Sequence, residues 1–346
     1  MKKKITKSVK NFIKYKIPTY FVSSKFLSSV YYLVFSTQFK REQFAVLNGK
    51  VKHQNELLEK KASVYTLVRN IHRLEKGLLM IPRRDVFAVD FIAETVDAFK
   101  NVWSFDKMSS DKQYKWFYDV LESFFATVGD HPIINRESLK YHEIISNSTI
   151  ELDDQKSIPY CRLETSRPNI NFDEFYKLTK YRRSVRWFID KEVPRELVDK
   201  AIMAANQSPS ACNRQPFQYR IIDDKEMLKK VARLPMGVRG YVEGIKMMIV
   251  VVGNLDAYFD ERDRHVIYID ASLANMTLMF ALETLGLSSC AINWPDIENL
   301  EKGMDSILRL EKHQRPIMCI AVGYSNPEGM VAFSEKRNLD DLRVYN

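Results

Sequence analysis

The residues most suited to chemistry fall in two short stretches. The first, YRRSVRWF at 181–188, sets Arg182, Arg183 and Arg186 around Ser184. Guanidinium groups form paired, charge-assisted hydrogen bonds, so this cluster suits a phosphate or another delocalised anion. The second, SPSACNRQPFQY at 208–219, carries Pro209, Ser210 and Ala211 and then two side-chain amides, Asn213 and Gln215. An amide both donates and accepts, which matches a heterocycle whose edge alternates carbonyls and ring nitrogens. One amphipathic helix separates the stretches, and together they read as the two lips of one site for a phosphate-bearing heterocycle.

Other candidate chemistry is weaker. Cys161, Cys212, Cys290 and Cys319 stand far apart with no paired spacing, which argues against a disulfide framework or a zinc site and favours a reducing compartment. Cys212 lies in the amide stretch, but no histidine accompanies it to form a thiolate pair. His72 and Glu75 stand three apart with no third ligand, a spacing that reads as a surface pair and not a metal site. There is no GxGxxG or GxxxxGK[ST], so a Rossmann or P-loop nucleotide site is excluded.

Elements that could position these residues follow from periodicity. The chain has 346 residues, room for two domains with separate cores. The spacing predicts helices over 62–78, 85–102 and 112–128, each with one apolar face. The stretch 151–168 is charged and carries prolines, as a linker would. Beyond it, helices alternate with apolar β-type runs at 218–222, 247–252, 287–292 and 317–322. A helix over 268–285 is apolar nearly all round, which suits a core or a subunit seam. The expected division is a basic arm over 1–50, a helical extension over 51–165 and an α+β sandwich over 166–346.

Charge is uneven. The net charge is +9, yet the first fifty residues hold ten lysines and Arg41 against Glu42 alone, so the rest is near neutral. A basic tail on a neutral body speaks against nucleic-acid binding. The segment IPTYFVSSKFLSSVYYLVF, broken by Lys25 and four serines, falls short of a membrane span and lacks a signal-peptide pattern. It reads first as a solvated arm docking its aromatics on the protein itself. The alternative is weak contact of residues 1–36 with an anionic membrane surface. The expected location is cytoplasmic, with the inner membrane surface as the variant.

From about Asn171 onward the chain resembles the nitroreductase family of FMN-dependent oxidoreductases. The resemblance rests on YRRSVRWF at 181–188, SPSACNRQPF at 208–217, ALETLGLSSCAINW at 281–294 and SEKR at 334–337, in that order. It implies an α/β/α sandwich with a mixed central sheet. It implies FMN held by Arg182, Arg183, Ser184 and Arg186, with Lys336 and Arg337 closing on the phosphate. It further implies that Pro209, Ser210, Ala211 and Asn213 reach the flavin of a partner in a homodimer, that Gln215 also binds the flavin, and that the Ile292–Asn293 backbone lies by the ring. Catalysis would be ping-pong hydride transfer from NAD(P)H through the flavin to a small electron-poor acceptor, with no catalytic side chain and no metal. Arg214 and Trp294-Pro295 depart from the family pattern and are expected to narrow the flavin face or alter its substrate. Two rival readings are a flavin dehydrogenase or isomerase acting on a polysaccharide- or quinone-related intermediate, and a redox-silent interaction module. The run HRLEKGL…PRR also resembles extensions on nitroreductase-like proteins of bacterial surface-polysaccharide clusters.

Overall fold

Four apolar runs pair into one sheet, β1 (Phe217–Ile222), β2 (Met247–Asn254), β3 (Ser288–Asn293) and β4 (Gln314–Gly323), in the order β1-β2-β4-β3. This is a computed structural model, which describes residues 12, 16–58, 64–104, 111–146, 156–162 and 166–346. Most of the lysine-rich start and parts of the expected linker lie outside the described residues. All four strands pair antiparallel, with Ile249 opposite Ile320 and Cys290 opposite Ala321. Among the described residues the parallel component of the expected mixed sheet is one bridge, Ser184 to Ser289. Pro316, which cannot donate to a ladder, sits where the β2–β4 register shifts at a bulge.

The N-terminal half is helical: α1 (Ile17–Phe21), α2 (Lys25–Val34), α3 (Lys40–Leu58), α4 (Val64–Leu78), α5 (Ile92–Val102), α6 (Lys112–Phe125) and α7 (Pro132–Ile145). Helices α4–α7 share a core of their own, with Leu67, Ile71, Leu74, Ile92, Val96, Phe99, Phe117, Leu121, Phe124 and Tyr141 buried together. The helix expected over 85–102 begins only at Ile92, because Ala88 takes a left-handed backbone with φ 65°.

Helix α3 runs across the boundary expected at residue 50, so the end of the basic arm is built into the fold. It lies on the second half of the chain. A Cβ on Gly49 would come within 2.7 Å of the Leu255 backbone, so glycine is what lets the helix approach so closely. Lys52 reaches Asp256 at 2.7 Å, and His53 Nδ1 donates to the Asp256 carbonyl at 2.8 Å.

The remaining helices are α8 (Phe172–Tyr181), α9 (Arg195–Ala205), α10 (Lys225–Val231), α11 (Val266–Thr284) and α12 (Glu298–Leu308). Alternation along β2 builds two layers. Met247, Ile249 and Val251 pack towards α9 and α11, while Met248, Val250 and Val252 pack towards α10 and α12. The expected α/β/α sandwich follows. The segment Glu261–Thr284 is long and apolar enough to cross a membrane. Here Ile267, Ala271, Ala274, Leu278 and Leu282 fill the sandwich core.

Candidate functional site

The arginine cluster is fixed by the segment that follows α8. Asn171 caps α8, accepting from the Glu174 amide at 2.9 Å, and the helix closes where the Arg182 amide donates to the Leu178 carbonyl. The chain then runs as a strap along the outer edge of β3. Ser184 bridges Ser289, the Val185 amide donates to the Ser289 carbonyl at 3.0 Å, and the Ile189 amide donates to the Tyr324 carbonyl at 3.0 Å. Phe188 lies over Gly323, where a Cβ would meet its ring at 2.7 Å.

This strap brings several expected binders together. Arg183 donates to the carbonyls of Ala332 and Phe333, which ties the strap to the C-terminal segment three residues before Lys336 and Arg337. Ser334 between them has φ 46°, a turn that carries the chain on to that basic pair. Arg186 stands 6.0 Å from the Tyr241 ring. None of Arg182, Arg183, Arg186, Lys336 and Arg337 forms an ion pair among the described residues, whereas Arg41, Arg195 and Arg315 all do. Arg182 Nε is buried with no hydrogen-bond partner. A cluster of cations that form no ion pair among the described residues, one of them an orphaned buried donor, is a donor set that an anionic phosphate would complete.

One carboxylate borders this cluster. Burial pushes Glu283 up to about 7, opposed by the Ser288 hydroxyl and by the charge of Arg182. Strand β3 carries Ile292 and Asn293 onward from the bridge. Ile292 points into the core below the sheet and Asn293 is exposed, so Ile292 could meet a ligand only through its backbone. Burial also raises the thiol of Cys290, next to Arg186, Tyr241 and Ser184.

The amide stretch is built differently. Cys212, Asn213 and Gln215 have φ of 54°, 54° and 49°, an uncommon run of left-handed non-glycine residues. Three interactions hold it. The Ala211 amide donates to Asp270 at 2.9 Å, the Gln215 amide donates to Ser210 Oγ at 3.1 Å, and Gln215 Nε2 donates to Asn213 Oδ1 at 3.2 Å. Arg214 does not narrow an open face as expected. It turns inward, 8% exposed, with its guanidinium 4.8 Å from the Tyr258 ring and close to Asp270. Trp294 is buried too, donating through Nε1 to Glu301 at 2.6 Å. Both departures from the family pattern are structural.

The two lips contact different parts of α11. The amide stretch is anchored at Asp270, near the start of α11, and Arg182 neighbours Glu283, at its end. The amide stretch also touches α11 further along, where the Ser208 hydroxyl lies 2.9 Å from that of Thr277, six residues or about 9 Å of helix before Glu283. The outer face of α11 exposes Ile269 (57%) and Leu273 (46%).

The sequence reading missed the walls around the amide stretch. Helix α4 packs on it, and His72, Glu75 and Trp116 line an open cavity of about 470 Å³ with Pro209, Ser210 and Asn213. The only available signal was the His72–Glu75 spacing.

The sequence profile of the nitroreductase family matches residues 179–238 and 240–324. A Methanothermobacter thermautotrophicus protein bearing the name NADH dehydrogenase/NAD(P)H nitroreductase is 30% identical over 146 residues, 42% of this chain and 74% of that one. Human iodotyrosine deiodinase 1 is 23% identical over 199 residues, 49% of this chain and 68% of that one. Among solved structures, an FMN-dependent nitroreductase from Clostridium difficile R20291 is similar at 25% identity with a TM-score of 0.42, covering 49% of this chain and 98% of its own. On the sequence matches to the arginine strap, the amide stretch and the sheet between them, the chain is an oxidoreductase that belongs to the nitroreductase family.

Proposed function

We propose that this protein binds FMN and uses NAD(P)H to reduce a small electron-poor organic acceptor. The observation that carries the reading is the cluster of Arg182, Arg183 and Arg186 on the strap with the C-terminal segment tied beside it, cations that form no ion pair among the described residues. When bound, FMN supplies two-electron transfer between a reduced nicotinamide and an acceptor. Arg182, Arg183, Ser184, Arg186, Lys336 and Arg337 would hold its phosphate and polar chain, and the backbone at Ile292–Asn293 would border the ring. Positive charge around that edge favours the reduced, more anionic form of the ring.

The reading extends to a homodimer. The exposed apolar side chains of α11 lie beside the amide stretch and offer a seam for a second copy. Pairing through the exposed Ile269–Leu273 face would let Pro209, Ser210, Ala211, Asn213 and Gln215 of one chain complete the site of its partner. Replacing Arg183 and Arg337 together by Ala tests the phosphate assignment. FMN should be lost on gel filtration from the double variant and kept by the wild type, and retention by both contradicts it. A dehydrogenase or isomerase would use the same cavity without bleaching by NAD(P)H. A redox-silent module would have no use for the unpaired cations.

A second reading concerns location. Helix α2 packs one side on α1, with Phe21 5.3 Å from Phe35 and 6.0 Å from Tyr31. Its other side leaves Phe26, Leu33 and Val34 in solvent, between Lys25 and Lys40 along the chain. An apolar stripe flanked by basic residues fits an anionic membrane surface, to which each lysine contributes about 1 kcal/mol. Sedimentation with phosphatidylglycerol vesicles should carry the protein down, and Phe26→Ser with Leu33→Ser should release it. Equal recovery with phosphatidylcholine vesicles, or none with either, contradicts this reading.

A further inference from the structure

The cavity between the helical extension and the amide stretch has features of a built binding site. Its walls come from four places: His72 and Glu75 on α4, Trp116 on α6, Ser157, and Pro209, Ser210 and Asn213 of the strained loop. The polar groups are ordered from behind. Trp116 Nε1 donates to one oxygen of Glu75 at 2.9 Å, and His72 Nδ1 lies 3.4 Å from the other. A carboxylate engaged on both oxygens holds the imidazole in one orientation and leaves Nε2 as the ring atom free to face a ligand. On the opposite wall, Gln215 occupies the Oδ1 of Asn213 and the lone pair of Ser210, which leaves the Asn213 amide nitrogen and the Ser210 hydroxyl proton as donors.

We infer that this cavity binds a neutral ring compound bearing hydroxyl groups, a sugar or a phenol, and that the helical extension thereby sets substrate choice. Three features of the lining select that class. The free imidazole nitrogen accepts or donates according to its tautomer while an amide and two serine hydroxyls donate, and a hydroxyl group serves both kinds of partner where a carbonyl serves only donors. Among the described residues no Lys or Arg lines the cavity and Glu75 does, so a phosphate ester or carboxylate is disfavoured. The Trp116 indole supplies an apolar surface for a ring, and about 470 Å³ lies within the usual range for small-molecule sites. The role of this ligand as electron acceptor rests on the flavin reading, but the preference of the cavity does not.

The test uses the full-length, purified protein and two probes, phenol and methyl α-D-glucopyranoside, each followed by saturation-transfer NMR. One probe should give a saturable signal with the wild type, and which one does distinguishes a phenolic from a sugar ligand. His72→Gln and Asn213→Ala should each weaken that binding roughly tenfold, as loss of one ligand hydrogen bond does. Far-UV circular dichroism and FMN content report separately on folding and on the flavin site. If neither probe binds saturably below about 10 mM, a weak limit for ring fragments of this size, the inference is overturned. Binding unchanged in both variants overturns it equally. Absence of FMN from the wild type as well would count against the flavin reading and leave the preference of the cavity standing.

Discussion

Arg41, on the N-terminal helix α3, closes on Glu301 with Nε 2.8 Å from Oε2, and Glu301 is completely buried. The same guanidinium reaches Asp305 and Glu298 on α12, while Arg315 and Trp294 approach Glu301 from the sheet side. The basic arm is thus continuous with the sandwich, and its last segment neutralises a carboxylate beneath β3.

Removing that guanidinium should be costly. Breaking one partner of a buried ion pair typically destabilises by 3–5 kcal/mol, and Arg315 and Trp294 remain to share the charge, so Arg41→Ala is expected to cost about 2 kcal/mol. Urea unfolding checks it. A midpoint unchanged from the wild type would mean that α3 adds nothing to the stability of the sandwich.

Gly323 sets how closely the strap lies on the sheet, since a Cβ there would meet the Phe188 ring at 2.7 Å. Gly323→Ala should lift Phe188 and with it the backbone carrying Ser184 and Arg186. FMN affinity should fall about tenfold or more while the fold persists, measured by flavin fluorescence on titration of the apoprotein. Undiminished affinity would show that the strap does not position the cofactor.

Glu283 gives a pH signature. Its carboxyl is raised to about 7 by burial, so the folded state binds a proton that the unfolded state releases between its ordinary pH range and 7. Its contribution to stability is therefore present at low pH and lost as pH rises towards 7. A shift of that size corresponds to about 3 kcal/mol for a buried group and to about 1–2 kcal/mol for this partly exposed one. Glu283→Gln should raise stability at pH 8 and leave it nearly unchanged at pH 4.5. The same gain at both pH values would rule out the ionisation argument.

Much of the sandwich was legible because periodicity and burial coincide in it. Met247 to Val252 alternate between two cores, and the helix predicted as apolar all round is the central helix α11. The arginine strap stood out in the sequence because three guanidiniums fall within five residues, while Glu283, which borders Arg182, lies far along the chain and gave no local signal. Arg214 and Trp294 were misjudged because sequence position does not fix side-chain direction. Partners far along the chain, Tyr258 and Glu301, draw both side chains inward. The surroundings of His72 were hidden for the same reason, since Trp116 and the amide stretch reach it only through the packing of the extension.

An anaerobic absorbance spectrum of the purified protein, before and after NADH or NADPH, tests the central claim most directly. The account predicts a yellow protein whose flavin band bleaches on addition of the nicotinamide and returns when an electron-poor acceptor follows. A colourless protein that cannot be reconstituted with FMN would contradict it.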